Sequence, residues 1–196
     1  MAIDISQIKK LKNMTGVGLT TAKQALEESK GDFDKALEAM RIKGLAKADK
    51  KSDREATVGV IHSYVHSGKI GVLVELDCET DFVARTEDFM QLANDLALHI
   101  AASDPKYLTV DDIPSPDKEK EIRLISAELK EQGKSSDMIA KISEGKIKKW
   151  HNEVVLMEQA FVKNPDISID VLIKEAIAKL GENIVLRQFR RIELGS

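Results

Sequence analysis

The sequence predicts an α+β fold: helices first, then an antiparallel hairpin and a closing strand that share one core with further helices. Three observations carry this. Apolar residues recur every three or four positions through the first 44 residues. From Thr57 to Cys78 the period is two, and from Phe89 it is helical again. Aromatic residues are only 4% of the chain, which favours helix-rich packing over an aromatic-cored β sandwich.

Asp4, with Gln7 three residues on, resembles a capping box, and Ile5, Ile8 and Leu11 give the first helix a narrow apolar face. Thr15-Gly16-Val17-Gly18 breaks the period, since paired glycines allow a tight turn. Ala22, Ala25 and Leu26 mark a second helix. After Gly31-Asp32, a third carries Phe33, Ala36, Leu37 and Met40, with Gly44 as its expected stop. Residues 1–44 therefore form a three-helix module with a thin core. Residues 41–54 hold six basic and two acidic groups. The stretch 45–56 reads as a basic, part-helical linker; a nucleic-acid contact is the alternative.

Val58 to His66 is strand-like and Ser67-Gly68 is a two-residue turn. Ile70, Val72, Val74, Leu76 and Cys78 then alternate with polar residues, as on a sheet with one wet face. Thr86 is the expected cap of a long helix with Phe89, Leu92, Ala93, Leu96 and Ile100 on one face. Glu87 and Asp88 suit the positive end of its dipole. This leaves Thr80 to Val83 in a connection. Residues 104–117 hold three of the four prolines and form a loop. Two stretches with narrow apolar stripes (Ile122, Ile125, Leu129; then Met138, Ile142, Ile147, Trp150, Val154) predict a projecting antiparallel helical hairpin over 115–150. It is inserted into a core domain of residues 57–114 and 151–196. Ser168 caps a last helix that Gly181 ends, and Asn183 to Leu194 is a strand whose alternation slips between Arg187 and Arg191, as at a bulge. The expected sheet is three-stranded and antiparallel, from 57–66, 69–78 and 183–194, with helices on one side.

Thirty basic against 33 acidic residues argue against a whole-chain nucleic-acid binder. A single cysteine, Cys78, rules out an intrachain disulfide and suggests a reducing compartment. No apolar run nears the roughly 20 residues that span a bilayer, and MAIDISQIKK lacks a leader's apolar stretch. A cytoplasmic protein without membrane contact is expected.

Chemistry is scarce. Gly68-Lys69 is followed by isoleucine and the Thr15–Gly18 turn has no lysine, so no phosphate loop is present. His62, His66 and Cys78 suggest a metal or thiol site only superficially, because Cys78 continues an alternating core. Glu75, Asp77, Glu79 and Asp81 read as a solubilising face. No cofactor, no metal and no catalytic residue is expected. Phe82, between Asp81 and Arg85, has two readings. It extends the apolar stripe of Phe89 into the core, or it is an exposed interaction anchor.

Several motifs resemble elongation factor Ts, the nucleotide exchange factor of the GTPase elongation factor Tu. Thr15-Gly16-Val17-Gly18 with Lys23-Gln24-Ala25-Leu26 is similar to the family's N-terminal signature, and Cys78-Glu79-Thr80-Asp81-Phe82-Val83-Ala84 to its central motif. Gly145 to Trp150, Gln159 to Val162 and Gly181 to Ile184 are similar to its later motifs, in order along the chain. The resemblance implies that the first module is like the ubiquitin-associated fold and docks on the GTPase through Lys12, Gly16, Val17, Gly18, Leu19, Thr20 and Lys23. It also implies that Thr80, Asp81, Phe82 and Val83 reach the GTPase near its magnesium and promote GDP release. Leu19-Thr20-Thr21 departs from the Met-Met-Asp of many members. The chain looks like the short form with one core subdomain, which suggests a homodimer, and the C-terminal cysteine of some short members is absent here. The alternatives are an RNA-binding or ribosome-associated adaptor using residues 43–54 and the helical hairpin, and, behind it, an enzyme.

Overall fold

The computed structural model describes residues 4–195. The Asp4 carboxylate accepts from the Ser6 amide, rather than pairing with Gln7, and starts helix α1 (Ile5–Thr15). Gly16, in the left-handed region at φ 68°, ends it. Helix α2 (Leu19–Glu28) follows Gly18, and Asp32 caps α3 (Phe33–Asp49) through the Lys35 amide. Leu11, Ala22, Ala25, Leu26, Ala36 and Met40 close a small core of their own.

The expected stop at Gly44 is absent: α3 runs on to Asp49. The reason is packing. A Cβ on Gly44 would stand 3.2 Å from the Ala178 Cβ, so this glycine brings α3 close to a later helix instead of breaking it.

Strands β1 (Val58–His66) and β2 (Ile70–Cys78) pair antiparallel from Val58↔Cys78 to His66↔Ile70. The loop is three residues, not two. Ser67 and Gly68 both take positive φ, and the Lys69 amide donates to the His66 carbonyl before pairing resumes at Ile70. A helical turn α4 (Asp81–Ala84) leads to α5 (Glu87–Ser103), capped by Thr86 through the Phe89 amide as expected. Helices α6 (Ser115–Glu131) and α7 (Ser136–Val154) lie against each other, and only Ile125 and Leu129 between them are buried. A small hairpin, β3 (Ala160–Phe161) with β4 (Asn164–Ser168), was too short to show a period. Helix α8 (Ile169–Leu180) starts at Ser168, ends at Gly181, and leads into β5 (Ile184–Glu193).

The sheet order is β1-β2-β5, antiparallel throughout, with β2 central. Glu75 faces Gln188 but Leu76 faces Leu186, so Arg187 is the extra residue of the bulge. Val72, Val74, Leu76 and Cys78 on β2 pack with Phe89, Leu92, Ala93, Leu96 and Ile100 of α5 and with Ile169, Ile173 and Ile177 of α8. The helices thus cover one face of the sheet. The other face carries exposed Ile61, Val65, Leu73 and Ile192.

Candidate functional site

The segment from Thr80 to Val83, the cap and first three residues of α4, is built to turn one aromatic outward. The Thr80 hydroxyl accepts from the Val83 amide at 3.5 Å and starts the turn; the Thr86 hydroxyl donates to the Val83 carbonyl at 2.8 Å and closes it. Ala84 is buried and Val83 packs against the main core. One face of so short a helix is thereby fixed inward, which sends Phe82 out, 80% exposed. Phe82 therefore does not extend the apolar stripe of Phe89 into the core. Asp81 beside it is held by Arg85 at 2.9 Å, a surface pair worth at most about 1 kcal/mol.

Beneath this turn, the buried Cys78 thiol donates to the Thr80 carbonyl at 3.1 Å. Burial and the nearby Glu182 carboxylate push its pKa up, so it stays a thiol. The Glu182 carboxylate accepts from the Thr80 hydroxyl at 2.7 Å and from the Thr80 and Glu79 amides at 3.0 and 3.1 Å. Glu79 answers by accepting from the Asn183 amide at 2.6 Å.

The second set of residues surrounds the α1–α2 turn. The Lys12 carbonyl accepts from the Gly16 amide at 2.8 Å, and Val17 packs under the small core. Gly18 caps α2 without a side-chain bond, and Leu19 and Thr20 stand exposed on its first turn. Lys23 pairs with Glu27 at 3.6 Å. The two sets do not merge into one cluster. One instead touches the last turn of α8, Gly16 at Lys179, and the other the turn that follows it, Thr80 at Glu182.

Other expectations resolve differently. Cys78 lies opposite Val58 and His62 opposite Val74, so the strand register separates the thiol from the imidazoles, and His66 Nδ1 meets the Tyr64 hydroxyl at 3.0 Å. Among the described residues no group of three or more His, Cys, Asp or Glu side chains could hold a metal ion. The acidic ladder is not merely solubilising. Glu75 accepts from Gln188, Asp77 from Arg187 and Glu79 from Asn183, so three of these carboxylates tie β2 to β5 and the turn before it. The basic stretch is also engaged within the chain: Arg41 with Glu175 at 2.6 Å, Lys43 with Glu28 at 3.6 Å, Arg54 with Glu79 at 3.5 Å, and Lys51 with the Gly181 carbonyl. No helix of the described residues is long and apolar enough to cross a membrane.

A family model described as Elongation factor TS matches residues 2–195, nearly the whole chain. The chain belongs to the elongation factor Ts family. Relatives named Elongation factor Ts are 48% identical over 197 residues in Herpetosiphon aurantiacus, covering 100% of both chains. In Thermodesulfovibrio yellowstonii the identity is 49% over 195 residues, covering 100% of this chain and 98% of the relative. In Carboxydothermus hydrogenoformans it is 48% over 194 residues, covering 98% and 89%. Membership in the elongation factor Ts family places the chain in translation elongation.

Two residues of this member escaped the sequence. Glu182 lies in the stretch Gly181 to Ile184, whose resemblance to a family motif assigned it no role, and its partners lie about a hundred positions away. His99 sits inside the apolar face of α5, where its spacing marks it as core. It is fully buried, with Nε2 at 2.9 Å from Gln159 Oε1 and Nδ1 accepting from the Val162 amide at 3.3 Å.

Proposed function

We propose that this chain is a guanine nucleotide exchange factor for elongation factor Tu, promoting GDP release by disturbing the GTPase's magnesium and phosphate site. The observation that carries the reading is Phe82. A large aromatic stands out on a turn whose Val83 and Ala84 side chains pack on the core, an arrangement that suits insertion into a partner. Magnesium demands near-octahedral oxygen geometry at about 2.0–2.1 Å, so a small displacement of the elements around it weakens the phosphate clamp. A wedge enforces such a displacement because packed elements switch between arrangements rather than deform smoothly. By linkage, a factor that binds the nucleotide-free GTPase more tightly lowers nucleotide affinity by the same ratio. The factor needs no catalytic residue and no cofactor of its own.

In this reading Thr80, Asp81, Phe82 and Val83 form the wedge, with Asp81 supplying polar contact. The three-helix module docks on the GTPase through Leu19 and Thr20, with Lys12, Gly16, Val17, Gly18 and Lys23 shaping or flanking that surface. The engagement of Arg41, Lys43, Lys51 and Arg54 within the chain weighs against RNA as the partner. The uncovered sheet face, with Ile61, Val65, Leu73 and Ile192, suits a second copy of the chain, giving a homodimer. The factor works in the cytoplasm, in keeping with its unpaired thiol. The test is release of fluorescently labelled GDP from elongation factor Tu: addition of the chain accelerates it under this reading, and an unchanged rate refutes it.

A further inference from the structure

A four-residue helix has no stability of its own, because a single hydrogen-bonded turn is an unfavourable nucleus. What holds α4 in place therefore decides where Phe82 points. Beside the packing of Val83 and Ala84, the Glu182 carboxylate holds the start of the turn. Its Oε2 accepts from the Glu79 amide at 3.1 Å and the Thr80 amide at 3.0 Å; its Oε1 accepts from the Thr80 hydroxyl at 2.7 Å. That hydroxyl has one proton to give. With the proton committed to Glu182, a lone pair is left for the Val83 amide, the bond that begins α4. The contact is reciprocal, since Glu79 accepts from the Asn183 amide at 2.6 Å. The Asn183 side chain also donates to the Arg54 and Ser52 carbonyls at 2.7 and 3.2 Å, fixing the same turn to the chain that leaves α3.

We propose that Glu182 is a positioning residue for nucleotide exchange. It does not enter the GTPase. It orients the Thr80-capped turn so that Phe82 is presented in its inserting conformation before the encounter. This rests on the exchange reading above. An aromatic on a loose connection would still bind, but ordering it would take up free energy otherwise available to displace the magnesium site. The loss should therefore fall on the maximal rate of release more than on the concentration of factor required.

The test is Glu182→Gln. The amide keeps one acceptor oxygen, but its NH2 group cannot accept, so part of the clamp is lost at nearly constant volume. The maximal rate of labelled GDP release from elongation factor Tu at saturating factor is expected to fall about tenfold, and the half-saturating concentration to move less than about threefold, tenfold corresponding to roughly 1.4 kcal/mol. Backbone amide order parameters should fall at Asp81–Ala84 and stay unchanged in α5 and β2, a local loosening that a general loss of stability would not give. Phe82→Ala is measured beside it. If Phe82→Ala slows release and a folded Glu182→Gln protein does not, the positioning role is overturned. If neither slows it, the exchange reading itself fails. Should Glu182→Gln not fold, Glu182→Asp takes its place, keeping the charge but drawing the carboxylate back by one methylene from the Thr80 hydroxyl and the two amides. Slowed release in that variant then supports the positioning role, and an unchanged rate overturns it.

Discussion

Gly16 meets the backbone of Lys179: a Cβ on the glycine would stand 2.7 Å from the Lys179 Cα and 2.8 Å from its carbonyl oxygen. The turn between α1 and α2 therefore rests directly on the last turn of α8. Gly16→Ala would meet both that backbone and a positive φ of 68°. The expected loss of stability is about 1–3 kcal/mol, read as a lower urea midpoint. An unchanged midpoint would mean that the three-helix module does not stay seated on α8 in solution.

Leu19 is 52% exposed on the first turn of α2, with no core role that its loss would disturb. Leu19→Ala should change stability by less than about 0.5 kcal/mol, as for ordinary surface positions. It should nonetheless weaken binding to elongation factor Tu, measured by titration calorimetry. Equal affinity would remove Leu19 from the proposed docking surface.

The free sheet face gives a prediction about assembly. Leu73 lies at its centre, opposite Ser63 and Arg190, with Ile61, Val65 and Ile192 nearby on the same face. Leu73→Asp should shift light scattering at tens of micromolar from a dimer mass to a monomer mass, because a buried unpaired carboxylate is costly. A wild-type chain that is already a monomer there would refute the dimer.

Burial lowers the pKa of His99 from its ordinary 6.5, more than the Gln159 contact raises it. The unfolded chain then binds the proton more readily than the folded one. Stability is complete above pH 6.5 and declines as pH falls below it toward the lowered value. Protonated Nδ1 could no longer accept from the Val162 amide, so the β3–β4 hairpin should loosen first. His151 is shifted the same way by burial and by Lys118, so the two share a window. Denaturant midpoints from pH 7.5 to 5 should fall, and the fall should be shallower in His99→Gln. An equal slope in that variant would assign the pH dependence elsewhere.

These elements differ in how legible they were. The sheet could be read because each strand repeats a period of two over nine or ten residues, and the Arg187 bulge could be read as the one slip in that period. Gly44 misled because a glycine that ends a helix and one that admits a neighbouring helix look alike until Ala178 is seen beside it. Phe82 was ambiguous for a related reason. Its distance from Phe89 fits a helical stripe, but Thr86 restarts the helix between them, so the two rings do not share a face. Glu182 was invisible as a clamp because nothing local distinguishes a carboxylate that holds a distant backbone from one that faces water.

The central claim is that Phe82 is an outward wedge, and stopped-flow release of labelled GDP from elongation factor Tu by Phe82→Ala tests it most directly. Loss of so exposed a ring should leave the denaturant midpoint within about 0.5 kcal/mol of wild type while the release rate falls clearly, with Asp81→Ala also slowed through lost polar contact. A Phe82→Ala protein that melts as wild type and releases GDP at the wild-type rate would contradict the account.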